Sequence, residues 1–253
     1  MKISIITVVL NNKRHVEDCI HSVLNQSYKH VEYIVVDGGS TDGTVDIIKK
    51  FEAYLSTWIS EPDRGIYDAM NKGIKMASGE VIGILNSDDF YFDNAVLENV
   101  SMAMSDINRD ACYADLVYVD TSNVNKIARY WRSRPFEPGL FKRGWAPAHP
   151  TFFVRKKIYD QYGIFDLNYK LAADFEIMAR FLEYYRICAV YIPKIFVKMR
   201  VGGATNKSVL NIVKQNFEIF EACGRNNIDI SFLSFLMNKF ITRLHQFYFK
   251  SAV

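Results

Sequence analysis

VIGILNSDDF, residues 81–90, runs an unbroken apolar stretch straight into Asn86, Ser87, Asp88 and Asp89. A short continuous run rich in Val, Ile and Leu reads as a strand covered on both faces, as in parallel sheets flanked by helices. Two adjacent carboxylates at its end repel each other, and neither gains by leaving water. A positive partner from outside the chain resolves this, and a divalent cation is the first candidate.

The sequence upstream has the same design. ISIITVV (3–9) is a second β-branched run, and VEYIVVD (31–37), closed by Gly38-Gly39, is a third. Val16, Ile20, Val23 and Leu24 recur at the spacing of one helix face. Val45, Ile47, Ile48 and Phe51 predict a helix behind Thr41-Asp42, and another is expected from about Tyr67 to Met76, with a short strand at STWIS (56–60). Strands alternating with helices predict an α/β fold with a mostly parallel, Rossmann-like sheet. Ligands in such sheets sit beyond the carboxyl ends of the strands. Asn11-Asn12, Asp37, Glu61-Asp63-Arg64 and Asn86-Ser87-Asp88-Asp89 each follow a predicted strand, so all four clusters are expected at one edge.

Beyond residue 106 the alternation becomes irregular. YADLVYVD (113–120) and KIARYW (126–131) read as an antiparallel pair, FEPGLFKRGWAPAHP (136–150) as a loop, and ADFEIMARFLEY (173–184) as a helix with Phe175, Met178, Phe181 and Leu182 on one face. Residues 206–253 read as a helical tail. There, Phe232, Leu236, Phe240, Leu244 and Phe247 make an apolar stripe beside Lys239, Arg243 and Lys250. Such a helix lies on a membrane surface through residues 230–250, or packs on its own domain or on a second subunit as a homodimer.

Bulk properties narrow the class. Of 253 residues, 49% are hydrophobic and 23% charged, enough for a soluble core. A net charge of +3 gives no basis for nucleic acid as a partner. Cys19, Cys112, Cys188 and Cys223 form no CxxC pair and read as reduced thiols. The N-terminus reads as a strand rather than a signal peptide, and no stretch reaches the ~18 apolar residues of a membrane span. A cytoplasmic location is expected, with peripheral attachment to the inner membrane face as an option.

Several residues carry two readings. Asp37 in VVDGGSTDGT either faces a ligand that the glycines let approach or sits in a tight turn with Asp42 as a helix cap. Asp89 caps a turn or shares a cation with Asp88. Arg64 meets a phosphate or pairs with Asp63 or Asp68. His149, in APAHPTFF, precedes a proline that holds it extended, and is read as an acceptor-side or phosphate contact. Trp145 and Trp131 stack on sugar rings or belong to the core. No G-x-G-x-x-G fingerprint follows either early strand, which argues against a dinucleotide dehydrogenase.

Together, TVVLNN, VVDGGSTDGT, EPDRGIYDAMNKG, GEVIGILNSDDF, AADFEIMARF and MRVGGATN occur in an order that resembles the inverting family 2 glycosyltransferases, which have the GT-A fold. The resemblance spans residues 3 to about 205. It implies a glycosyltransferase domain over 1–205, with a nucleotide-sugar half (1–105) and an acceptor half (106–205), followed by the tail 206–253. It further implies that Thr7, Asn11 and Asp37 face the nucleotide, with Asp63 and Arg64 closing the pocket and Asn71 beside the donor. Asn86-Ser87-Asp88 occupies the place of the DXD motif, with Asp88 as ligand to Mn2+ or Mg2+. Asp174 matches the general base and Arg200 a cation near the diphosphate. Asn86 departs from the motif's first Asp, and Ala173 stands where many relatives have Glu.

The implied reaction moves a sugar from a nucleotide-sugar, UDP being the first expectation, to a hydroxyl of a glycan, lipid-linked in bacterial surface polysaccharide synthesis. The alternative is a donor-binding, catalytically weak assembly module. A metal-dependent nucleotidyltransferase would need a Gly-rich basic loop after the first strand, and VVLNNKRH has no glycine.

Overall fold

A computed structural model describes residues 1–202 and 209–231, together with Phe235 and Met237. The predicted tail stripe therefore lies outside the described residues.

The early runs form the expected elements: β1 (Ile3–Val9), α1 (Val16–Leu24), β2 (Val31–Asp37), α2 (Thr44–Lys50), β3 (Thr57–Ser60), α3 (Ile66–Met76) and β4 (Val81–Asn86). Every residue of β1 is buried, as its uninterrupted β-branched run requires of a strand with helices on both sides. β1 lies between β2 and β4 and runs parallel to both. Its side chains alternate between two cores. Ile6 and Val8 pack with Met70 and Ile74 of α3, while Ile3, Ile5 and Val9 pack with Val16 and Ile20 of α1 and Ile48 of α2. Gly73 lets α3 dock closely, since a Cβ there would stand 2.3 Å from Ile6 Cγ2.

The second half extends the same sheet with β5 (Asp89–Tyr91), α4 (Val96–Ala103), β6 (Ala111–Val119), β7 (Ile127–Trp131), β8 (Phe153–Arg155), α5 (Lys156–Tyr162), α6 (Ala173–Ala179), β9 (Ala189–Arg200) and α7 (Val209–Arg225). Strand order is β3-β2-β1-β4-β8-β6-β9-β5, with β7 paired to β6. The result is a mixed, mostly parallel sheet between helical layers. β6 and β7 form the predicted antiparallel pair, and α6 continues through a π-helical turn, Arg180–Tyr184.

Five elements escaped the sequence reading for physical reasons. β5 and β8 have three residues each, too short to show a period. β9 carries Pro193, which normally counts against a central strand. Its parallel register against β6 jumps from Tyr191 to Ile195, so Pro193 sits in the irregularity, where no ladder donor is needed. α4 has only Val96, Leu97 and Val100 buried, and the seven-residue α5 only Ile158 and Tyr159.

At the amino end of the sheet, Glu32 is almost fully enclosed. It accepts hydrogen bonds from Lys2 Nζ (2.9 Å), Ser4 Oγ (2.5 Å), Ser78 N (2.7 Å) and Ser78 Oγ (2.5 Å). Burial acts to raise its pKa, but these donors outweigh burial and lower it to about 2. A carboxylate depressed below its unfolded value stabilises the fold above that value and loses the contribution as pH falls through the folded one. Stability is therefore expected to fall between about pH 4.5 and about pH 2. Glu32→Gln should flatten that limb of a urea-midpoint-versus-pH curve, and an unchanged limb would assign acid lability elsewhere.

Candidate active site

Parallel pairing brings the polar clusters to one rim. Val9 pairs with Asp37, and Val8 with Asn86, so Asp37 and Asn86 leave the sheet at the same end on either side of β1. Two strand spacings separate them, roughly 10 Å. Glu61 N donates to Asp37 O (3.0 Å), which brings the loop after β3 to the same edge.

Asp37 is fully buried, and its carboxylate shapes the loop that follows it. Oδ2 accepts from Gly39 N (3.0 Å), Ser40 N (2.9 Å) and Ser60 Oγ (2.7 Å), and Oδ1 from Ser40 Oγ (2.5 Å). The loop is tied to the end of β1. Asn11, with a left-handed φ of 49°, accepts at Oδ1 from Thr41 N (2.9 Å) and donates its own N–H to Ser40 Oγ (2.7 Å). Asp42 Oδ1 accepts from Thr44 N at 3.0 Å and so shapes the turn before α2, whose N-cap residue is Gly43 rather than Asp42. Asp63 Oδ2 lies against Gly38, where a Cβ would stand only 2.2 Å away. Arg64 is exposed and pairs with Asp68 at 3.3 Å.

The end of β4 is linked to the same loops. Asn12 Nδ2 donates to Ser87 Oγ (2.9 Å), and Asn12 N to Thr44 Oγ1 (3.0 Å). Asp88 is half-buried, and among the described residues nothing hydrogen-bonds its carboxylate. Asp89 is buried; burial, and then the charge of Asp88, push its carboxyl well above the ordinary range. Asn86 Nδ2 donates to Asp89 Oδ2 (3.4 Å). Among the described residues, Asn86 Oδ1, Asp89 Oδ1 and Arg200 Nε are buried without a partner. These unsatisfied hard oxygens beside Asp88 fit a divalent cation. Among the described residues no three His, Cys, Asp or Glu side chains converge on one point. Such an ion would therefore take Asp88 from the protein and further ligands from an anionic substrate. A cleft of about 480 Å³ beside this loop is lined by Asn11, Asn12, Lys13, Arg14 and Asp42.

Asp174 stands in the first turn of α6. Its Oδ1 accepts from Tyr67 Oη (3.1 Å) and from Phe175 N (2.9 Å). Among the described residues its Oδ2 has no hydrogen-bond partner. Burial, and then the Asp174 charge, hold the Tyr67 phenol well above its usual pKa, so it remains a donor.

The sequence model of glycosyl transferase family 2 matches residues 4–163. The chain belongs to that family. This family 2 glycosyltransferase is 27% identical over 211 residues to a PGL/p-HBAD biosynthesis glycosyltransferase of Mycobacterium bovis, covering 82% of this chain and 80% of the relative. It is 31% identical over 180 residues to a Mycobacterium tuberculosis glycosyltransferase, covering 70% and 68%. Among solved structures, Staphylococcus aureus TarS with UDP-GlcNAc has TM-score 0.70 at 18% identity, covering 95% of this chain and 73% of that one. Pyrobaculum calidifontis mannosyltransferase PcManGT with GDP-Man and Mn2+ has TM-score 0.67 at 17% identity, covering 94% and 68%. The fold of this glycosyltransferase is thus the GT-A fold of those neighbours.

Five sequence expectations need correction. Thr7 is fully buried on the α1 side, its hydroxyl 3.0 Å from Tyr33 Oη, because odd positions of β1 face inward there. Asn71 is buried and grips the backbone of Phe165, donating to its carbonyl and accepting its N–H at 2.9 Å each. Arg200 does not point freely into the crevice. It is 5% exposed, donates to Asp88 O (2.8 Å) and Asp18 Oδ2 (2.5 Å), and lies over the Phe90 ring. His149 is buried edge-on to Phe165, and burial lowers its pKa while the charge of Asp174 raises it. Trp145 stacks on Phe136 and meets Phe141 and Tyr113 edge-on, inside an aromatic cluster. Among the described residues no helix is long and apolar enough to cross a membrane.

Sequence reading missed Tyr67, Lys13, Arg14 and His15. The basic triplet directly after Asn11-Asn12 was a visible signal; Tyr67 reads as an ordinary helix-face aromatic until α6 is placed against it. His15 has its pKa lowered, first by burial and then by Arg200, which puts it beside the Asp88 loop. Arg200→Met would keep an unbranched side chain but remove the guanidinium that lies over Phe90 and donates to Asp88 O and Asp18. Expected is a loss of about 1.5–3 kcal/mol in urea unfolding, with faster amide exchange at 87–90. An unaltered exchange pattern would show that Arg200 does not hold the loop.

Proposed function

We propose that this protein is an inverting, metal-dependent glycosyltransferase. It moves a sugar from a nucleotide-sugar, a UDP-sugar first, to a hydroxyl of a lipid-linked glycan in bacterial surface polysaccharide synthesis. The observation that carries this reading is the unpaired Asp88 carboxylate among unsatisfied oxygens, at the same rim as the Asp37 loop. The neighbours' UDP-GlcNAc and GDP-Man complexes support a nucleotide-sugar donor.

In this reading the base and ribose lie along Asn11, Gly38 and Asp63, with Arg64 at the margin. Asp88 would hold Mg2+ or Mn2+, whose charge would offset negative charge on the leaving diphosphate. Ser87 and Asn86 border that position. Lys13 and Arg14 line the adjoining cleft and add positive field. Asp174 removes the acceptor hydroxyl proton through Oδ2, while Tyr67 and Phe175 N–H fix Oδ1. General-base assistance of this kind contributes about 10²–10⁴-fold. Attack from the face opposite the diphosphate inverts the anomeric centre.

The second reading, a donor-binding assembly module of low turnover, draws on Asn86 in place of an acidic ligand. Asp174→Asn separates the two: transfer should fall at least about 10²-fold with nucleotide binding intact. A variant that is as active as the parent would remove Asp174 from catalysis.

A thermal-shift screen of UDP, GDP and dTDP with and without Mn2+ tests the donor site. Ligand at about 100 times its Kd adds roughly 2.7 kcal/mol. If none of the three moves Tm, the assignment fails. Gly38→Ala provides a local check. Its Cβ would stand 2.2 Å from Asp63 Oδ2 and 3.0 Å from Cγ, so Asp63 must shift and UDP binding should weaken. Equal UDP affinity in both proteins would place the nucleotide elsewhere.

A further inference from the structure

The chain leading into α6 has no regular hydrogen-bonding partner of its own, yet it sets where Asp174 stands. Residues 163–172 connect α5 to α6 without strand or helix. Ala172 is the N-cap residue of α6 and has no side chain with which to cap it. Buried backbone N–H groups left unpaired are costly, so something must accept from this segment.

The acceptor comes from α7, which lies beyond the residues matched by the family model. Glu218 takes three successive N–H groups in one carboxylate. Lys170 N donates to Oε1 (3.1 Å) and Oε2 (3.0 Å), Leu171 N to Oε2 (2.7 Å) and Ala172 N to Oε2 (2.9 Å). One turn earlier, Gln215 Nε2 donates to Leu171 O at 3.2 Å, so α7 grips the segment by its donors and by an acceptor. The negative charge also stands at the N-terminal end of α6, where it complements the helix dipole. The Glu218 charge acts on the Tyr67 phenol as well, which places it near the Tyr67–Asp174 pair. Ala172 and Ala173 are fully buried, so a shift of the segment cannot be absorbed by slack and passes on to Asp174.

We infer that Glu218 is a positioning residue for Asp174: α7 completes the site by fixing the backbone two residues before the base. This rests on the reading of Asp174 as base. Glu218 touches neither donor nor acceptor. It acts by holding Asp174 Oδ2 toward the incoming hydroxyl, where a displacement of about 1 Å can cost on the order of 10²-fold.

The test compares the full chain with Glu218→Ala, Glu218→Gln and Asp174→Asn. Nucleoside diphosphate release is measured with Mn2+ on UDP-GlcNAc, UDP-glucose, UDP-galactose and GDP-mannose. Amide exchange at 170–172 is followed in parallel. Glu218→Ala is expected to lower kcat about 10–100-fold with donor KM within about twofold, and to speed exchange at 170–172. Glu218→Gln keeps the volume and one accepting oxygen, and should recover most of both effects. A Glu218→Ala protein that is less stable but turns over at the parent rate below its Tm would overturn the inference. So would a loss that falls on KM alone. If Glu218→Ala does not fold, Glu218→Met, which keeps the length of the side chain and removes both accepting oxygens, decides: full kcat despite faster exchange at 170–172 overturns the inference, and reduced kcat at constant KM supports it. Turnover retained in Asp174→Asn sinks the base reading instead, whereas an inactive Asp174→Asn beside a fully active Glu218→Ala sinks only the role of Glu218.

Discussion

Parallel pairing of β1 with both β2 and β4 is the constraint on which the site depends. Parallel strands end on the same side, so whatever polar residues follow each apolar run must meet there. The register is firm because β1 is buried on both faces. A slip of one residue would exchange the two cores, sending Ile6 and Val8 to the α1 side and Ile5 to the α3 side. Gly73 at the α3 contact leaves no spare volume to absorb such a slip.

On that frame, carboxylates serve two different purposes. Asp37, Asp42, Glu183 and Glu218 each accept backbone N–H groups and so give loops a definite shape; Glu183 holds Gly139 and Phe141 as Glu218 holds 170–172. Asp88 is different in kind. Arg200 grips its backbone carbonyl rather than its carboxylate, so the charge remains available while the chain carrying it is fixed. Next to it, the buried oxygens of Asn86 and Asp89 lack partners among the described residues, a cost that a bound cation would offset.

The second half of the chain is built on weaker local signals. β8 and the Pro193-bearing β9 hold their places by pairing with the two edges of β6, the three-residue β5 pairs in turn with β9, and Glu183 holds the turn at 139–141. Asp115 fastens this region by accepting from Tyr130 Oη (2.5 Å), Tyr191 Oη (2.8 Å) and Ser133 N (2.7 Å), uniting β6, β7 and β9. None of these partners is close to Asp115 in sequence.

What the amino-acid sequence determined by itself was the α/β frame and the rim. Continuous β-branched runs, helix-spaced apolar residues, and the clusters at Asn11, Asp37, Asp63 and Asp88 are local properties, visible within windows of about ten residues. What tertiary structure decided was the duty of each polar side chain. Thr7, Asn71 and Arg200 read as ligand-facing residues, yet packing turns them toward Tyr33, Phe165 and Asp88. Tyr67 and Glu218 gain their meaning from Asp174 and the segment before it, which are distant in sequence. Such contacts depend on which face of one element meets which face of another, and period and composition do not contain that information.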